Sequence, residues 1–196
     1  IGTVDRLDAV CNVDPTVYET VNVLGRFTPG DGGGGLYRYT PEAAEAQNGG
    51  TIVEARLPYA RGCWIFQEPP GAMVMAAAVF GVREGLDCTA ALQSAINWCG
   101  RPGRLKRDLQ LPAGKLLVST LVNKLGVNIR GSAKAFLTRA PGVTGTTLVQ
   151  MPNVKGPILK VSGLSAKIEG IEFVGGHHRP ELRIITAVIS RTEFVV

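Results

Sequence analysis

Long hydrophobic runs are missing from this chain of 196 residues. The best one, Ala72 to Phe80, is too short and too rich in alanine to cross a bilayer, so membrane insertion is not expected. Histidine is scarce: the two present, His177 and His178, are adjacent, and Cys11, Cys63, Cys88 and Cys99 lack metal-ligand spacing, so no metal or other cofactor is implied. If Cys88 and Cys99 share one helix, eleven residues of rise at about 1.5 Å each separate them by roughly 16 Å, beyond disulfide reach. The cysteines therefore read as buried free thiols, compatible with assembly in a reducing cytosol. Neither Gly-x-Ser-x-Gly nor a cysteine with a separate histidine partner occurs, which removes the usual serine and cysteine nucleophiles.

Aromatic residues make up only 6% of the chain, while Gly 25 and Pro 12 are plentiful. That balance favours many turns between short strands over long helices. The formal charge is +5, and Arg101, Arg104, Lys106 and Arg107 form the densest basic segment. No helix-turn-helix, zinc-finger or aromatic RNA-binding signature accompanies these charges, so a solvated loop is favoured and nucleic acid is not an expected partner. An acidic polysaccharide or a charged neighbouring subunit would suit the same patch.

Along the chain, residues 1–68 read as a small β-rich module. A strand at Val17 to Leu24, a glycine loop at Arg26 to Gly35 and an alternating strand at Leu36 to Thr40 predict a hairpin. Pro41 to Gly50 reads as a short helix or a loop, before strands at Thr51 to Ala55 and Cys63 to Phe66. Glu68-Pro69-Pro70-Gly71 is the clearest linker, so a second domain is placed at 69–196. It opens with a strand at 74–80 and a helix at 87–99 carrying Cys88, Ala91, Leu92, Ala95, Ile96 and Cys99 on one face, ended by Gly100 and Pro102. From 109 onward, short β-prone pieces recur at about twenty residues, a spacing suited to a stacked coil. Leu111, Leu116 to Val118, Val127 to Ile129, Leu148 to Val149, Ile158 to Val161 and the run Leu164 to Gly176, which breaks at Gly170, are those pieces. The helix would plug the first layer. The apolar Phe194-Val195-Val196 ending predicts further sequence beyond Val196, and the absence of Met at Ile1 a processed or partial chain.

The segment Val74 to Gly176 resembles the opening region of right-handed parallel β-helix proteins of the pectate-lyase superfamily. The matching pieces are Ala78 to Gly81, Asp87 to Ile96 with Cys99-Gly100, Leu111-Pro112-Ala113-Gly114, Gly126 to Gly131, and Ile168 to Phe173. The preceding module, from Val21-Asn22-Val23-Leu24-Gly25 through Gly30 to Tyr39 and Gly62-Cys63-Trp64, is similar to the domain ahead of the β-helix in bacteriophage tail spikes and fibres. The resemblance implies a homotrimeric virion protein of the phage tail, assembled in the host cytoplasm. Residues 1–68 would anchor it to other tail or baseplate proteins, and the β-helix would face bacterial surface polysaccharide, which many relatives cleave. The other reading is a free extracellular polysaccharide lyase or glycoside hydrolase, and whether the chain itself is an enzyme stays open at this point.

Within the chain, Glu169 and Glu172 flank the Gly170 bend and are the candidate catalytic carboxylates, since glycoside hydrolysis needs one protonated acid and one base or nucleophile. The same Ile-Glu-Gly-Ile motif is plain outer-wall sequence in the resembled superfamily, which favours a solvated role. His177, His178 and Arg179 are candidate substrate-binding residues: histidine titrates near neutrality and arginine grips carboxylates, although a turn extending from the first layers suits them better. The glycine run leads into a strand, without the Lys and the helix of a phosphate-binding loop. Trp64 and Trp98 are expected to pack rather than stack on sugars.

Overall fold

The computed structural model describes residues 1–43, 45–56, 61–69, 72–103, 106–132, 145–162 and 166–175, with the backbone of 183–189 and 194–195. The chain packs as two units: Ile1–Ala72 with Ala78–Gly81, and Met73–Ala77 with Val82–Val196.

The first unit is a five-stranded sheet of β1 (Gly2–Arg6), β2 (Thr20–Gly25), β3 (Gly35–Pro41), β4 (Ile52–Glu54) and β5 (Gly62–Phe66), in the order β1-β2-β3-β5-β4. The β2 sequence TVNVLG alternates strictly, so Val21 and Val23 turn inward while Asn22 and Leu24 stay out. They meet Leu7, Val10, Tyr37 and Trp64 in one core. Tyr37 is fully enclosed and donates its hydroxyl hydrogen bond to the Gly50 carbonyl at 2.9 Å, which satisfies the one polar atom a buried tyrosine carries. β2 and β3 pair antiparallel around the glycine loop, as the alternation predicts. The described residues of the segment 41–50 form no helix.

The second unit is a stack of parallel rungs. β6 (Val74–Ala76) pairs with β7 (Asp108–Gln110), which pairs with β10 (Ile129–Arg130), which pairs with the first half of β13 (Ala166–Val174). A second face stacks β8 (Gly114–Val118), β11 (Thr146–Gln150) and the second half of β13. The third stacks β9 (Leu121–Asn123) and β12 (Leu159–Val161). Inward side chains lie directly over one another: Leu109, Ile129 and Ile168 on the first face, Leu116, Leu148 and Phe173 on the second, Leu121 and Leu159 on the third, all buried. β14 (Arg183–Ile189) and β15 (Phe194–Val195) run antiparallel to β13 and β12.

Three expectations shift in detail. The strand expected at 74–80 ends at Ala76, and Ala77–Phe80 wind into a 3-10 turn closed by Gly81 at φ +88°. The helix α1 spans Thr89–Cys99, with Ala91 only half-buried and Trp98 buried beneath the Arg101 guanidinium, 3.2 Å from the ring centroid. The repeat is not constant. Ile129 follows its rung partner Leu109 by twenty positions, yet Ile168 follows Ile129 by thirty-nine, so the connections between rung segments differ in length. A coil tolerates such differences since only the rung segments must stack.

The helix seals the first rung through side-chain and backbone groups that act as strand partners. Gln93 donates from Nε2 to the Val122 carbonyl and accepts the Val122 N–H at Oε1, both at 2.8 Å. Thr89 Oγ1 accepts the Ser119 N–H at 2.8 Å, and Cys88 N–H donates to the Leu117 carbonyl. The open edge of β8 and β9 is thereby satisfied without another strand. Asp87 holds the start of the helix by accepting the Thr89 N–H at 2.9 Å.

Candidate functional site

Outward residues on successive rungs also stack, so the coil displays ladders of polar side chains. On the first face, Arg130 sits opposite Gln110 on one side and Glu169 on the other. Its Nη2 lies 2.5 Å from Asp108 Oδ2 and its Nε 3.1 Å from Glu169 Oε1, while Lys167 Nζ lies 2.6 Å from the second Glu169 oxygen. Asn128 extends the ladder, donating to Asp108 and accepting the Lys167 N–H, both at 2.8 Å. The Lys167 hydrogen bond, aided by the Arg130 charge, holds the Glu169 carboxyl below its ordinary range.

Glu172 belongs to the second face, where it accepts a hydrogen bond from Thr147 Oγ1 at 2.8 Å. Gly170, at φ +68°, lets β13 bend from one stack to the next between the two carboxylates. The structure therefore engages Glu169 with β10 and Glu172 with β11, and gives each its own partner. Asp108, Arg130, Lys167 and Thr147 escape sequence reading, because their partnership depends on which rung lies over which. His177, His178 and Arg179 lie outside the described residues. Both tryptophans pack: Trp64 is fully buried beside Tyr39 at 5.4 Å between ring centroids, and Trp98 is 5% exposed.

The first unit carries a groove of about 710 Å³ lined by Glu19, Leu36, Arg38, Phe66, Gln67 and Glu68 among others. Glu19 and Arg38 form an exposed ion pair on its rim at 2.5 Å. Close by in sequence, the glycine loop is organised by Asp31. Its two oxygens accept the backbone N–H groups of Arg26, Phe27, Thr28 and Gly33 at 2.7–3.1 Å. Burial would raise its pKa, but those four hydrogen bonds favour the ionised form and lower it from 3.8 to about 2.

The folded state holds the Asp31 proton less tightly than the unfolded chain, so the carboxylate stabilises the first unit fully above pH 3.8, and the contribution is lost as pH falls from there to about 2. Asp31→Ala removes hydrogen bonds to a charged group and is expected to cost about 2 kcal/mol at neutral pH. In urea titrations the variant's deficit should shrink as the solution is acidified through that window; a deficit independent of pH would contradict the carboxylate's role.

No protein-family model and no curated protein matches the chain. Solved structures do. The tailspike protein gp49 of Acinetobacter baumannii bacteriophage Fri1, a capsular polysaccharide depolymerase, superposes with a TM-score of 0.62 at 17% identity, over 90% of this chain and 38% of that one. The enzymatically active domain of tailspike protein 2 of bacteriophage CBA120 gives 0.66 at 19% identity, over 96% of this chain and 25% of that one. WceF of Pantoea stewartii, a glycan biofilm modifying enzyme with a tailspike-like parallel β-helix, gives 0.61 at 17% identity, over 89% and 25%. The likeness establishes the fold: a small β module followed by the start of a parallel β-helix, as in phage tailspikes. The chain spans between a quarter and two fifths of the length of these three structures.

Proposed function

We propose that the chain is the leading part of a tailspike-type virion protein that attaches a phage particle to bacterial surface polysaccharide. One observation supports this reading: a tailspike fold that runs through both units, over 90% of the chain in the Fri1 match, a protein that is itself a capsular polysaccharide depolymerase. Residues 1–68 anchor the protein to other tail or baseplate components, and the β-helix forms a rigid wall whose sugar contacts are multiplied in a homotrimer. The subunits are made in the host cytoplasm, which suits four buried free cysteines.

Cleavage, where it occurs, is carried beyond Glu169 and Glu172. A general acid needs a raised pKa to hold its proton at neutral pH, whereas Glu169 is pulled down by two cations, and Glu172 belongs to another face of the coil, engaged there by Thr147. The direct test incubates the full-length protein with capsular polysaccharide and lipopolysaccharide, scoring reducing ends and unsaturated products, alongside its mass under native conditions. A trimer that binds these polymers is the expected result, with product formation unchanged in the Glu169→Gln and Glu172→Gln double variant. A monomer without polysaccharide binding would sink the proposal, and loss of products with an intact trimer would place the catalytic pair in this chain.

A second reading is favoured by the Pantoea match: a bacterial glycan-modifying enzyme of the same fold. Antibodies against the chain should label purified phage particles under the first reading and culture supernatant of a phage-free bacterium under the second.

A further inference from the structure

Asn48 and Gly49 lie in the loop that leads into β4, and the contacts there hold the Asn48 side-chain carbonyl between two backbone donors. The Asn48 amide oxygen accepts two backbone hydrogen bonds, from the Gly50 and Ile52 N–H groups, each at 3.1 Å. Its Nδ2 donates to Thr51 Oγ1 at 2.7 Å. Two N–H donors on one carbonyl oxygen polarise that carbonyl and are placed to stabilise negative charge developing on it. A hydroxyl on the departing nitrogen is placed to move a proton. Gly49 is exposed, at φ +76°, and a Cβ built on it would meet nothing within 4 Å, so solvent reaches this residue and the chain around it is uncrowded.

From this geometry we infer that Asn48–Gly49 is a self-modification site of the folded protein. The Gly49 backbone nitrogen, losing its proton to solvent base, attacks Asn48 Cγ. The oxyanion forms on Oδ1 between the Gly50 and Ile52 N–H groups, the Cγ–Nδ2 bond breaks, and ammonia leaves with a proton relayed through Thr51 Oγ1. Water then opens the cyclic imide to an aspartyl or an isoaspartyl link, so the net change is one water consumed and one ammonia released, without redox chemistry or any cofactor.

The two products differ in consequence. An aspartate at 48 keeps both N–H donors, the arrangement Asp31 uses in the same unit, and Thr51 can turn its hydroxyl to donate. An isoaspartyl link adds a methylene to the backbone just ahead of Gly50, whose carbonyl anchors the buried Tyr37 hydroxyl. It also precedes Ile52, which is buried. The first product preserves the unit, and the second loosens it. This inference does not depend on what the protein binds.

The test incubates the full chain at alkaline pH, folded and in parallel in urea, and follows the peptide carrying residues 47–54 by mass spectrometry for a gain of about one mass unit. Conversion is expected at Asn48 ahead of every other asparagine, faster in the folded than in the unfolded protein, and slowed about tenfold by Thr51→Val. Asn48→Asp should melt at or above the temperature of the unmodified protein. Conversion as fast in urea as in the folded state, or an intact Asn48 while other asparagines convert, would overturn the inference. The comparison with urea needs no variant, so a misfolded Thr51→Val leaves it decisive.

Discussion

Gly131→Val is expected to unfold the stacked unit. Gly131 closes the corner after β10, where its N–H donates to the Glu169 carbonyl of the next rung at 2.8 Å. A Cβ at this position would lie 2.2 Å from the Gly170 carbonyl oxygen and 2.9 Å from Ile171 Cγ1. The obstruction is backbone, and no side-chain rotation relieves it. Moving the third rung away would break the register of Ile129 with Ile168 and of Arg130 with Glu169 and open the apolar stack behind it. Overpacking a well-filled core typically costs about 1–3 kcal/mol, and a clash with a backbone acceptor at a rung corner belongs at or above the top of that range. Hydrogen exchange should show protection lost across β10, β11 and β13, a loss in the same strands for Gly131→Ala, whose Cβ meets the same carbonyl, and retained protection in β2 and β3. Unchanged protection in Gly131→Val would mean that the rungs do not approach one another here.

The parts of this fold that were legible in the sequence are those written in local spacing. Asp87, the apolar positions from Cys88 to Cys99 and the Gly100 stop define α1, because a helix is specified by neighbours within two turns. The alternation in Val21 to Leu24 and Leu36 to Thr40 defines the hairpin for the same reason. The rung period was less legible, since rung partners are separated by unequal lengths of chain and only pairing reveals that Leu109, Ile129 and Ile168 share one column. The ladder of Asp108, Arg130, Lys167 and Glu169 was invisible for that reason as well: it joins residues from three rungs. Asp31 carries a local signal. An aspartate inside a glycine-rich loop, with donors on both sides in sequence, is suited to collect backbone N–H groups, and here it gathers four.

The ladders also bear on function. A wall that binds a polymer must hold its polar groups at fixed spacing, and stacked parallel strands lie about 4.8 Å apart. Asp108, Asn128, Arg130, Glu169 and Lys167 bind one another across that spacing, so side chains that would otherwise move freely in water are held to the wall, and under the proposed function this would lower the ordering cost of binding.

Parallel, in-register stacking of the rungs is the physical claim on which the β-helix and everything proposed from it stand. Thr147 and Glu172 face outward as direct partners on neighbouring rungs, and a parallel spacing of about 4.8 Å falls inside the Cα separation a disulfide spans. Val174 is two positions further along the same strand and faces Val149 instead. The decisive measurement is therefore oxidative cross-linking of two double variants, Thr147→Cys with Glu172→Cys and Thr147→Cys with Val174→Cys, read by mass spectrometry after unfolding and thiol blocking. Near-complete bridging of the first pair and little of the second is the expected result. Equal bridging of both, or bridging of the second pair alone, would contradict the stacked coil.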